Sequence, residues 1–168
     1  MDVYKEQLVK KATTSRDDVR KIMLIIAAIS LSALIFTFLF PTPFAMIGLF
    51  LIGVVIYGTY HLITGMSVEY EYLMTNGDLD IDKITAQRSR KRLTTVKIPS
   101  ITAFEKLTES SDINPDHTII NASDFTGEND WYIEFRHNEY GMCCLVFSPD
   151  EEMIDVIKPF LPRALRLK

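Results

Sequence analysis

"SVEYEYLMTNGDLDIDKI", residues Ser67 to Ile84, decides how the rest of the chain is read. Asn76-Gly77 lies between two runs that alternate apolar and polar residues. A two-residue hairpin turn of the I′ type needs positive φ at both central positions, and Asn and Gly supply it at least cost. Pairing across that turn sets Met74 against Leu79, Tyr72 against Ile81 and Tyr70 against Lys83, which gives one largely apolar face. The opposite face places Glu71 against Asp82, two like charges that must be solvated or neutralised by neighbours.

Immediately upstream the composition changes. From Ile22 to Val68 there is no Asp, Glu, Lys or Arg, and Pro41-Thr42-Pro43 divides this block into residues 22–40 and 44–64. At ~1.5 Å per residue, about 19 to 21 helical residues cover roughly the 30 Å hydrocarbon core of a bilayer. Two prolines within three residues end one helix and let another begin, so the block reads as a two-span hairpin. The competing reading, a cleaved signal peptide, needs a shorter apolar region and small residues at the cleavage site, and positions 41–45 fit poorly. Lys5, Lys10, Lys11, Arg16, Arg20 and Lys21 precede the first span, Lys83 and the run Arg88, Arg90, Lys91, Arg92 follow the second, and the connecting turn is uncharged. The positive-inside rule then places both termini in the cytoplasm of a multi-pass protein of the cell membrane.

Further alternating runs follow the hairpin at 93–98, 101–106, 117–122, 131–137 and 142–147, separated by turn-rich pieces such as "TESSDINPD" and "DFTGEND". With the opening hairpin they make seven strand candidates. Trp131, Ile133 and Phe135 share one face of their strand; Tyr132, Glu134 and Arg136 share the other. A helix closes the chain: Ser148-Pro149-Asp150-Glu151 reads as an N-cap, a first-turn proline and a capping-box acid, and Met153, Val156, Ile157 and Phe160 form the stripe expected to pack on the sheet. Regular helix is expected to stop near Lys158, before Pro159. The expected fold class is a membrane α-helical hairpin plus a mainly-β domain, a seven-stranded barrel or sandwich with one C-terminal helix. The expected divisions are 1–21, an N-terminal segment; 22–64, the hairpin; and 65–168, a domain able to fold alone.

This order resembles the pleckstrin-homology-like barrel. It is closer to a family of small bacterial membrane proteins in which a two-helix hairpin precedes such a domain. The resemblance is carried by "VEYEYLMTNGDLDIDKI", the following "RSRKR" and the N-terminal "MDVYKEQLVKK", and covers nearly the whole chain. It implies a membrane-anchored cytoplasmic module without an assigned activity, and likeness to lipid-binding domains elsewhere is a likeness of fold alone.

Several motifs invite sharper readings. Asp78, Asp80 and Asp82 have the spacing of the first acidic ligands of a calcium loop, but Lys83 and Ser89 occupy the glycine and bidentate-glutamate positions, so a solvated strand face accounts for the acids. Arg88, Arg90, Lys91 and Arg92 are the candidate membrane-surface residues, each giving roughly 1 kcal/mol at an anionic headgroup layer. The bland alternative is a solvated strand edge that also sets topology. Nucleic acid is not expected as a partner, since residues 65–168 hold 12 Lys plus Arg against 18 Asp plus Glu, a net of −6. Tyr4 and Leu8, four apart beside Lys10 and Lys11, suit either a short interfacial helix or a plain extension of the first span. Ser15 with Asp18 offers a cap for that span. Ser30, Ser32, Ala28 and Ala33 suit close helix packing. Cys143 and Cys144 read as reduced packing residues on opposite faces of a strand, and the sequon Asn121-Ala122-Ser123 carries no weight on the cytoplasmic side.

His61, His117 and His137 lack metal-ligand spacing, and no nucleophile elbow or phosphate loop occurs. The expectation is a protein without catalytic residues, metal or cofactor, whose partners are membrane lipids and a protein partner or a second copy of itself. The alternative is an accessory subunit that docks into a larger membrane transporter or envelope complex through its two spans.

Overall fold

The computed structural model describes residues 3–108, 111 and 113–166; the expected turn at 108–116 lies partly outside them. The chain forms two compact units, Thr13–Ser67 and the combination of Met1–Ala12 with Val68–Lys168.

The first unit is a helical hairpin, α1 (Ser15–Leu39) and α2 (Ala45–Gly65). Both helices are long and apolar enough to cross a membrane. Leu24, Ala28, Ser32, Ile35 and Leu39 are among the half-covered positions of α1, and Ala45, Ile52, Val55 and Thr59 among those of α2, where Gly48 is buried; along each helix these positions follow at spacings of three and four. The remaining apolar surface faces outward all round, as expected of segments solvated by lipid. Gly48 is the tightest point: a Cβ there would stand 3.0 Å from Leu39 Cβ. Ala28 and Ser32 lie on the packing stripe, whereas Ser30 and Ala33 are exposed. The cap of α1 is Thr14 rather than Ser15, with Asp17 rather than Asp18 accepting from the Thr14 N–H at 3.4 Å.

The second unit holds eight strands among the described residues: β1 (Tyr4–Lys10), β2 (Val68–Thr75), β3 (Asp78–Thr85), β4 (Ser89–Lys97), β5 (Ala103–Lys106), β6 (Thr118–Asn121), β7 (Trp131–His137) and β8 (Gly141–Phe147). They build two four-stranded sheets, ordered β1-β2-β3-β4 and β5-β7-β8-β6. The β2–β3 register is the one the hairpin chemistry predicts, Met74↔Leu79, Tyr72↔Ile81, Tyr70↔Lys83 and Glu71↔Asp82, with φ of 48° at Asn76 and 98° at Gly77.

Strand β1 corrects the reading of the N-terminus. Neither an interfacial helix nor an extension of the first span forms over Tyr4–Lys10; the segment runs antiparallel along β2 from Tyr4↔Thr75 to Lys10↔Glu69. Residues four apart share a face in a strand as well as in a helix, so Tyr4 and Leu8 could not separate the two. The outer edge of β2 settles the matter, because its unpaired backbone groups need partners. Val9 is buried, Gln7 donates to Ser148 O at 3.1 Å and accepts from Asp150 N at 3.0 Å, and Lys5 pairs with Glu152. The division 1–21, 22–64, 65–168 therefore differs from the observed grouping at both of its boundaries.

Tyr72, Met74, Leu79, Ile81, Val96, Ile133, Leu145, Phe147, Met153 and Ile157 are fully buried between the sheets and under α3 (Glu151–Ile157). Tyr72 ties the halves together: its hydroxyl donates to Ala122 O at 2.5 Å and accepts from Ser148 N at 3.1 Å, while its ring meets Phe147 edge-on. Asp150, not Ser148, caps α3, accepting from Met153 N at 2.6 Å. Ser148 is occupied elsewhere, its hydroxyl donating to Asp130 at 2.6 Å. Helix α3 ends at Ile157 and passes through a 3-10 turn into a short α4 (Arg163–Arg166). Of the expected stripe, Met153 and Ile157 are fully covered, and Val156 and Phe160 only partly. Cys143 and Cys144 are unpaired and buried in separate clusters on opposite faces of β8, and burial pushes the Cys144 thiol up to about 11.

Candidate functional site

The candidate residues Arg88, Arg90, Lys91 and Arg92 lie in β4 and the turn before it, so the basic run is part of a strand that starts earlier than its apolar pattern suggests. Arg88 closes the β3–β4 turn, its N–H donating to Thr85 O at 3.1 Å. Ala86 and Gln87 in that turn have φ of 56° and 54°, a left-handed conformation without glycine to ease it. The pairing of Thr85 with Ser89 beyond the turn holds both residues there.

A bulge then determines where the arginines go. Ile81 pairs with Thr94 but Asp82 pairs with Arg92, which leaves Leu93 as the extra residue. Strand side chains alternate with period two, so without the bulge Asp82 would oppose Leu93, and Arg90 and Arg92 would turn to the core face. With it, both arginines join Glu71, Asp80 and Asp82 on the outer face. Arg92 reaches Asp82 at 2.6 Å and Asp80 at 2.7 Å, and Arg90 pairs with Glu71 and approaches Asp82 at 3.9 Å. Glu71 and Asp82 are each only 5% exposed, whereas the two arginine side chains remain about half exposed. Two guanidinium groups thus lie over a like-charged carboxylate pair and supply the countercharge it needs. Burial pushes the Glu71 carboxyl up, with Arg90 pulling against it, and the Arg92 guanidinium is held further up by its hydrogen bond to Asp82.

Lys91 faces the other way. Its register partner is Lys83, itself opposite Tyr70, and among the described residues neither lysine makes an ion pair. Like charges directly opposite on a sheet repel. The same end of the sheet carries Lys10, paired with Glu69, and Lys11, whose N–H donates to Val68 O at 3.0 Å and whose ammonium lies 4.7 Å above the Phe125 ring. Val68 pairs with Thr85, and Thr85 with Ser89. One end of one sheet therefore holds Lys10, Lys11, Lys83, Arg88 and Lys91 beside the two points, Lys11 and Val68, where the chain leaves for the helices and returns. The chain order alone did not reveal the first two of these residues, because their membership follows from β1.

The calcium-like triad is dispersed by this arrangement: Asp80 and Asp82 serve arginine, and Asp80 also accepts from the Thr95 hydroxyl at 2.6 Å. Among the described residues no group of three His, Cys, Asp or Glu is placed to hold a metal ion. His61 stacks on Tyr57, His137 on Tyr140, and His117 stands 3.2 Å from Glu134. Asn121 of the sequon accepts from Ser123 N at 3.0 Å, a local turn contact.

Comparison with curated proteins and with solved structures finds no match. A family model matches residues 1–167, and by it the chain belongs to the family described as Bacterial PH-like domain (DUF6106).

Proposed function

We propose that this chain is a membrane-anchored, non-enzymatic module whose PH-like domain lies on the cytoplasmic side and is held against the anionic headgroup layer by its basic sheet end. The observation that carries the reading is the register Lys11–Val68–Thr85–Ser89, which sets the two tethers and the β3–β4 turn at one end of the same sheet. Neighbouring strands are ~4.8 Å apart, so this whole end fits within a few strand widths of the points where the spans begin. Arg88 and Lys91 make the contact, with Lys83, Lys10 and Lys11 beside them. Arg90 and Arg92 stay with their carboxylates and fix the strand that presents the others. The uncompensated pair Lys83 and Lys91 is where an anionic headgroup relieves a repulsion already present in the domain.

Hydrogen exchange on the full chain in lipid nanodiscs tests this. Backbone amides of 85–92 should be protected in discs of phosphatidylglycerol relative to phosphatidylcholine. The difference should shrink at high salt as the Debye length falls below ~10 Å, and vanish in Arg88→Gln/Lys91→Gln. Equal exchange in both lipids would leave the run as a topology signal and favour a partner reached through the spans. For topology, reporter fusions at residues 1 and 168 should both report cytoplasm, and an external signal from either end overturns the orientation.

A further inference from the structure

We propose that a second anion site, distinct from the basic sheet end, lies in the cleft between β4 and the β7–β8 turn, and that it takes a phosphate-bearing small molecule or headgroup. The cleft has a volume of about 540 Å³ and is walled by Arg92, Lys97, Arg136 and His137, with no Asp or Glu among its lining residues. That size is in the range of small-molecule sites. The charge balance is the reverse of its surroundings, since residues 65–168 as a whole carry a net of −6.

The cations differ in availability. Arg92 is held by Asp80 and Asp82. Lys97 has Asp78 as its register partner but makes no ion pair among the described residues, and the same is true of Arg136. His137 accepts at Nδ1 from Glu139 N at 3.1 Å, which leaves its neutral ring with the proton on Nε2, a donor. Thr94 lines the cleft with a buried hydroxyl that has no hydrogen-bond partner among the described residues, and Asn138 adds an amide. Leu93 and Phe135 supply an apolar wall. Several donors from different strands suit the oxygens of a tetrahedral phosphate, and the apolar wall suits the organic part of an ester better than a bare ion.

The site shares no residue with the proposed membrane contact of Arg88 and Lys91, so the two are separable. Calorimetric titration of the full chain in uncharged detergent micelles with glycerol 3-phosphate should show saturable binding that Lys97→Gln/Arg136→Gln weakens about tenfold or more. Both side chains are exposed, and an unchanged melting temperature of the variant serves as the fold control. Arg88→Gln/Lys91→Gln should leave this binding intact. Repeating the titration in phosphatidylcholine nanodiscs with and without phosphatidic acid separates the sources. Competition by the lipid assigns the cleft to a headgroup, and unaltered binding assigns it to a soluble ester. No saturable binding in micelles, binding indifferent to Lys97→Gln/Arg136→Gln, or binding lost through Arg88→Gln/Lys91→Gln overturns the assignment.

Discussion

A chain starting at residue 65 should fail to form the stable β-domain, although it contains seven of the eight strands. Without β1 the outer edge of β2 loses a seven-residue ladder, the buried Val9, the Gln7 hydrogen bonds to the segment leading into α3, and the Lys5–Glu152 pair. At about 1 kcal/mol net per hydrogen bond and roughly 2 kcal/mol for a buried valine, the loss reaches several kcal/mol. That is a large part of the roughly 5–15 kcal/mol that stabilises an ordinary domain. The exposed β2 edge would also invite strand pairing between copies. Joining residues 3–11 to 68–166 through a short flexible linker in place of the helices should restore the fold, because Lys11 N and Val68 O already lie 3.0 Å apart. Circular dichroism and chemical denaturation of the two chains decide it. Equal stability of the 65–168 fragment and the joined chain would show β1 to be dispensable.

Removing both guanidinium groups, Arg90→Ala/Arg92→Ala, should cost about 3 kcal/mol at neutral pH. Stripping one partner from a buried ion pair costs roughly 3–5 kcal/mol, and the half exposure of these arginines puts the expectation at the lower end. Glu71 and Asp82 would then face each other uncompensated across β2 and β3. The pH dependence has a definite sign. With Arg90 gone, nothing opposes the burial that already raises the Glu71 carboxyl, so the folded state binds a proton more tightly than the unfolded one. Stability supplied by that proton is present below the unfolded carboxylate pKa and is lost as pH rises through the folded value. The deficit against the parent chain should therefore shrink as pH falls towards about 4. Adding Glu71→Gln and Asp82→Asn to the double variant should recover much of the loss at pH 7. Denaturation curves at pH 4 and pH 7 test this; a loss under about 1 kcal/mol at pH 7, or one independent of pH, would mean the carboxylates are satisfied by water instead.

The sequence showed that Glu71 and Asp82 needed neutralising and that a basic run lay a few residues downstream, but it did not join the two facts. The bulge at Leu93 is the reason. A period-two pattern assigns faces only while the register holds, and one inserted residue reverses every assignment beyond it. Nothing local in "RSRKRLTTVK" marks where the extra residue falls; the acids on β3 and the core packing of Thr94 and Val96 fix it together. The cleft beside β4 was illegible for a different reason: Lys97, Arg136 and His137 come from strands of separate sheets that only the stacking of those sheets brings near each other.

The sequence by itself determined whatever rests on local chemistry and short periods. The Asn76-Gly77 turn and its register, the two apolar helices parted by Pro41 and Pro43, the alternating faces of β7 and the end of α3 at Ile157 all follow from interactions within about ten residues. Only the tertiary structure decided the rest, because those choices join segments far apart in the chain. Strand β1 meets β2 across more than fifty residues of helical hairpin, and its pattern satisfied helix and strand alike until an unpaired sheet edge selected the strand. Asp150 caps α3 because Asp130 holds Ser148, and Arg90 and Arg92 turn outward because buried carboxylates are waiting there. In each case a polar group buried by the tertiary structure needed a partner, and the cost of leaving it unpaired exceeded any local preference.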